Sequence, residues 1–208
     1  MFTKFLNIDR EKQQRVVNAA LKEFANKGYD TASTNTMCRE AGISKGLLFH
    51  YFTSKKDLYL YLYDYSVKQL SVKIHERVNV EERDFFERLK QISEVKFAIL
   101  NTSPDLFAFL QTANLEESLE VGALLAERRR QAAESEYNKL FDGIDVAKFK
   151  DGLDVKRTMN VILWTMEGLG EAERRRHKAL GIDLRRAEIM DEFEQYVQLF
   201  KSSFYKQP

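Results

Sequence analysis

The sequence predicts an all-α fold, and three observations carry that prediction. Only 2 of the 208 residues are Pro and 9 are Gly, well under the roughly 5% and 7% of ordinary proteins, so helix breakers are scarce. Hydrophobic residues make up 44% and charged residues 31%, a mixture that suits long amphipathic helices. Apolar residues then recur at three- and four-residue spacing along the chain, the period of a helix face. Collagen-like, disordered and turn-rich all-β classes are excluded by the same composition.

The elements follow in order. Asp9 caps the first helix and Glu11 sits in its first turn, where the helix dipole favours an anion. Val17, Ala20, Leu21 and Phe24 share one face, and Gly28 ends the helix as a C′ glycine does. Ser33 or Thr34 caps a second helix of about two turns that carries Met37 and Ala41 inward and stops at Gly42. Ser44 caps a third helix after the turn Gly42-Ile43-Ser44. Two short helices joined by a three-residue, Gly-containing turn form a helix-turn-helix.

The third helix carries more than folding requires. Leu48 and Phe52, four apart, anchor it, while Lys45, Gly46, Phe49 and His50 occupy the opposite side. Gly46 costs about 1 kcal/mol of helix propensity relative to Ala, a cost offset if the bare backbone lets another surface approach closely. Lysines and aromatics at a helix start suit a duplex groove, where they meet phosphates and thymine methyls. Ser54 and Asp57 start a fourth helix, with Lys55 and Lys56 in a first turn that disfavours cations. Such a pair is explained by a docked phosphate. Charge agrees: residues 1–56 hold 10 Lys/Arg against 5 Asp/Glu, leaving 23 of 33 basic and 27 of 32 acidic residues for the rest. A basic head on an acidic body points to a polyanion partner for the head.

Gly28-Tyr29, Ala41-Gly42-Ile43-Ser44-Lys45-Gly46, Leu48-Phe49-His50-Tyr51-Phe52 and Ser54-Lys55-Lys56-Asp57-Leu58 together resemble the N-terminal domain of the tetracycline-repressor (TetR) family of bacterial transcription regulators. The resemblance covers about a quarter of the chain, with its elements in the family's order and spacing. It implies about nine helices: a helix-turn-helix DNA-binding domain, set at residues 1–53, and a helical effector-binding and dimerisation domain at 54–208. It also implies that Lys45, Gly46, Leu47, Phe49, Tyr51 and Lys55 face DNA. Thr34, Asn35, Ser44 and His50 complete the candidate DNA-binding set. Phe49 stands where the family usually has Tyr, Met37 and Cys38 where Ile and Ala are common, and Ala32 where Thr is.

Beyond Leu58, the tyrosines at 59, 61, 63 and 65 cannot all share one helix face. Further helices are predicted near Glu82–Leu100, Pro104–Ala113, Glu117–Phe141, Val155–Leu180 and Arg185–Tyr205, with Pro104 at a first helical position. The last two carry apolar stripes: Met159, Ile162, Leu163, Met166 and Leu169 on one, and Ile189, Phe193, Tyr196, Phe200 and Phe204 on the other. Two such helices from each of two subunits make a symmetric four-helix bundle. Met159, Ile162, Leu163, Met166, Phe193, Tyr196 and Phe200 are therefore the candidate homodimer interface. The competing assignment places both stripes in the subunit's own core. Phe97, Phe107, Leu110, Tyr137, Phe141 and Trp164 are candidates to line a pocket for a small, hydrophobic effector.

No catalytic constellation is found: there is no Gly-x-Ser-x-Gly, P-loop or His-Glu-x-x-His. Gly168-Leu169-Gly170 lacks the preceding strand that a dinucleotide site needs. His50, His75 and His177 lie far apart, so neither a metal nor another cofactor is implied. Cys38 reads as a buried structural thiol, and Arg128–Arg130 and Arg174–Arg176 as solvated faces with local ion pairs. The longest apolar stretches, such as Leu106–Leu110, fall far short of the ~18 residues of a membrane span. With no secretory signal in Met1–Gln14 and one cysteine, a soluble cytoplasmic protein is expected. The expected function is a ligand-responsive regulator, most simply a repressor, binding a near-palindromic double-stranded DNA operator as a homodimer. The rival is a helical-bundle ligand carrier or enzyme with an incidental basic head. Salt-steep duplex binding separates the two.

Overall fold

A computed structural model describes residues 2–180 and 186–207, apart from the side chains of residues 138, 177, 178, 180, 186 and 187. Among them are ten α-helices: α1 (Thr3–Leu6), α2 (Arg10–Thr31), α3 (Thr34–Ala41), α4 (Lys45–Tyr51), α5 (Lys55–His75), α6 (Phe85–Thr102), α7 (Pro104–Asn114), α8 (Gly122–Phe141), α9 (Val155–Leu180) and α10 (Arg186–Phe204). The described residues contain no strand, only one isolated antiparallel bridge between Phe149 and Tyr205. No described helix is long and apolar enough to cross a membrane. The predicted start of the last helix at Arg185 and the side chain of His177 lie outside the described residues.

The chain forms two compact units. The first comprises Met1–Val80 and Gln91–Asp142, so α1–α5, most of α6, α7 and α8 belong to it together. Its main core joins Phe24 of α2, Met37 of α3, Leu48 of α4, Leu62 of α5 and Phe109 of α7. Tyr59 is fully buried, with its ring edge-on to Phe24 at 4.7 Å and to Phe109 at 5.1 Å. A second cluster gathers Ile74 and Val78 with Ile92, Val95, Ile99 and Leu140. The tyrosine run divides as a helix requires. Tyr59 and Tyr63 are buried, while Tyr61 is half-buried and lies 5.1 Å from Phe2 and 5.5 Å from Phe5. The short α1 that supplies Phe5 has only four residues, too few to show a period in the sequence.

α8 starts at Gly122, five residues later than the sequence predicts. The reason is local hydrogen bonding: Glu116 accepts from the Ser118 amide at 3.0 Å, and the Ser118 carbonyl accepts from Gly122 N at 2.7 Å, which shapes residues 115–121 into a turn. The arginine runs are mostly paired, as with Arg128–Asp64 at 3.0 Å and Arg130–Glu127 at 2.8 Å. Arg129 instead donates to the carbonyls of Ala113 and Asn114 at 3.0 and 2.7 Å, closing the end of α7.

The second unit comprises Glu81–Lys90 and Gly143–Pro208. Here α9 packs on α10, and the chain end is stitched to residues 148–150: Lys150 N donates to Phe204 O at 2.8 Å and Lys206 N to Lys148 O at 2.9 Å. Asp84 caps α6, accepting from the amides of Phe86 and Glu87 at 2.9 and 3.2 Å and from Lys148 Nζ at 2.8 Å. The apolar stripes of α9 and α10 are covered in large part by the subunit's own residues. Met159, Ile162, Phe193 and Phe200 are buried within the subunit, and Leu163, Met166 and Tyr196 are half-buried. A side chain already removed from water by its own chain offers no further area to a partner. The exposed apolar residues are Val161, at 46%, Trp164, at 68%, and Leu199, at 57%.

Candidate nucleic-acid interface

Three serines build the head. Ser33 Oγ accepts from Thr36 N at 3.3 Å to start α3, Ser44 Oγ from Leu47 N at 3.2 Å to start α4, and Ser54 Oγ from Asp57 N at 3.0 Å to start α5. Gly42 has φ of +67°, the left-handed conformation that lets α3 end and the chain turn within three residues. Ile43 N then returns to Cys38 O at 3.0 Å. Leu48 and Phe52 bury the inner side of α4 in the core.

The opposite side is open. Ser44, Lys45, Gly46, Phe49 and His50 are exposed, and Leu47 is half-buried. Asn35 on α3 is exposed and Thr34 is half-buried beside the turn. A Cβ added at Gly46 would meet nothing within 4 Å, so folding alone would accept a larger residue there. Tyr51 is half-buried, with its ring 5.6 Å from that of Phe5 and 5.9 Å from that of His50. Arg39, four residues after Asn35 and also exposed, extends this face; its spacing was the available signal, and sequence reasoning passed over it.

Lys55 bonds within its own chain. Its ammonium donates to the carbonyls of Asp30 and Ala32 at 3.1 and 3.4 Å and lies 4.7 Å from the centre of the Tyr29 ring. An ammonium in an unfavourable first turn is thus compensated by carbonyls of its own chain. Cys38 is buried, and burial raises its thiol above the ordinary value, with Lys45 opposing only in part. That environment suits a structural thiol rather than a reactive one.

Residues 16–62 match the family model described as bacterial regulatory proteins, tetR family, and these residues contain all of α3 and α4. Over these residues the chain is similar to the TetR family. A curated relative, the fatty acid metabolism regulator protein of Bacillus subtilis, is 23% identical over 76% of this chain and 81% of its own length. An uncharacterised helix-turn-helix transcriptional regulator of the same organism is 41% identical over 27% of this chain, but over only 19% of its own length. Among solved structures, a TetR-family regulator from Chloroflexus aurantiacus covers 99% of this chain and 98% of its own, with TM-score 0.66 and 22% identity. A fatty acid degradation regulator from Bacillus halodurans covers 75% of this chain and 83% of its own, with TM-score 0.56 and 22% identity. These likenesses extend the TetR fold over the whole chain.

The candidate effector residues differ in burial. Leu110 is buried in the main core, Phe97 and Phe107 are half-buried, and half-buried Tyr137 and Phe141 have ring centres 5.4 Å apart. Trp164 is 68% exposed.

Proposed function

We propose that this TetR-family regulator binds a near-palindromic operator as a homodimer and leaves it when a small hydrophobic molecule binds the body. The observation that carries the reading is the two-faced α4, with Leu48 and Phe52 buried and Lys45, Gly46, Phe49 and His50 open. A helix built this way can enter a major groove without unfolding anything, its glycine allowing backbone approach and its lysine reaching phosphate. Two copies about 34–36 Å apart match successive major grooves.

The exposed Val161 and Trp164 of α9 and Leu199 of α10 supply the dimer surface in this reading. Large apolar side chains left in water on one helix pair are the material of a homodimer interface. The similarity to a regulator named for fatty acid metabolism supports an effector of the fatty-acid class. Effector binding would favour a spacing of heads that no longer fits the operator, and by linkage the operator weakens effector binding equally.

The test is a titration of fluorescent duplexes selected from a random library, repeated across salt and then with a long-chain fatty acid. The reading expects dimer-stoichiometric binding with a steep salt slope and release by the fatty acid. Failure of the protein to enrich any duplex at low salt overturns it and favours a carrier with an incidental basic head.

A further inference from the structure

We infer that Glu116 is a positioning residue that joins the α7–α8 turn to the helix-turn-helix and fixes the angle at which α3 and α4 are presented. The inference rests on the DNA-binding reading above and adds to it the residue through which the body holds the head.

α2 is broken near its C-terminal end. Gly28 has φ of +68° and ψ of −176° inside an otherwise helical run, a conformation open to glycine and strained for other residues. A Cβ there would lie 3.4 Å from Glu116 Oε2, an ordinary contact, so it is the backbone angle that demands glycine. In an unbroken helix the Tyr29 amide would donate to the Ala25 carbonyl. Both of those groups are bonded instead by residues of the body. The Tyr29 amide donates to Glu116 Oε2 at 2.8 Å, and the Thr112 hydroxyl donates to the Ala25 carbonyl at 3.1 Å. Buried backbone groups need partners, and here they come from residues 87 positions away.

The turn is equally tied. Glu116 Oε1 accepts from the Ser118 amide at 3.0 Å, and the buried Ser118 hydroxyl donates to Asp30 Oδ1 at 2.8 Å. On the other side of the bend, Lys55 of α5 holds the carbonyls of Asp30 and Ala32. The next residue, Ser33, caps α3. One carboxylate therefore bridges a turn between two body helices and the joint from which α3 departs. A shift of either α7 or α8 is delivered to that joint through Glu116, and all of these residues lie in one compact unit.

The experiment uses the full chain and the duplex it selects from a random library, with the half-site spacing changed by one and two base pairs. Wild-type protein is expected to lose about tenfold or more in affinity on a two-base-pair change, because the heads no longer meet successive grooves. Glu116→Ala is expected to bind the selected site about tenfold more weakly yet lose no more than about threefold on respacing, since its heads are no longer held at one angle. Glu116→Gln, which keeps one acceptor oxygen, falls between. Hydrogen exchange at the Tyr29 amide should speed up about tenfold or more in Glu116→Ala. Should that variant fail to fold, Ser118→Ala, which removes the bond to Asp30, is expected to shift spacing preference in the same direction. A Glu116→Ala protein with wild-type spacing preference, or with a uniform loss across all spacings, overturns the inference while leaving the DNA-binding reading intact. Selection of no duplex by the wild type overturns both.

Discussion

Gly46 and Lys55 show how far a single residue's job can be read before its surroundings are known. At Gly46 the open space around an added Cβ separates folding from binding. Gly46→Leu is expected to keep the wild-type melting temperature within a degree or two, since Leu has the better helix propensity, and to abolish operator binding in an anisotropy titration. The two lysines part company in the same assay. Lys45→Ala, at an exposed position, should lower the salt slope by about 1. Lys55→Ala should leave the slope unchanged and instead cost about 1 kcal/mol of stability in urea, the scale of a lost hydrogen bond. Residue type and position in the helix suggested a phosphate for Lys55. The carbonyls of Asp30 and Ala32 were invisible because they lie across a bend whose path only the folded chain reveals.

At the scale of elements, helices with strong local signals were legible and those defined by distant contacts were not. Ser33, Ser44, Ser54 and Gly42 mark boundaries in the sequence, and Gly28 marks the break inside α2, because caps and positive-φ glycines act within a few residues. The late start of α8 escaped, since Glu116 is drawn out of helix by Ser118 and Tyr29. The apolar stripes of α9 and α10 were evident, but periodicity identifies a buried face without saying what buries it. The exposed side of each helix had to come from the fold. The cap of α6 carries a pH dependence of its own. Burial acts to raise the Asp84 carboxyl, but the Lys148 hydrogen bond and the Glu87 amide outweigh it and hold the group below the usual carboxylate range. A carboxylate lowered in the folded state contributes stability above its unfolded value of about 4, and that contribution is lost as pH falls through the lower folded value. Urea midpoints measured from pH 6 down to pH 2 should drop at the acid end, and Asp84→Asn should flatten that limb while lowering the plateau.

For the whole molecule, the exposed indole of Trp164 decides most. If α9 and α10 form the subunit contact, Trp164→Glu places a charge where apolar area must be dehydrated. Sedimentation should then find a monomer at concentrations where wild type is dimeric, with its melting temperature falling toward that of the dissociated chain as protein is diluted. Operator affinity should fall with it, because one head alone makes half the contacts. The same side chain is the chain's only tryptophan, so its emission colour reports a single environment. Blue-shifted light from concentrated samples that reddens on dilution would time the parting of subunits without any attached dye.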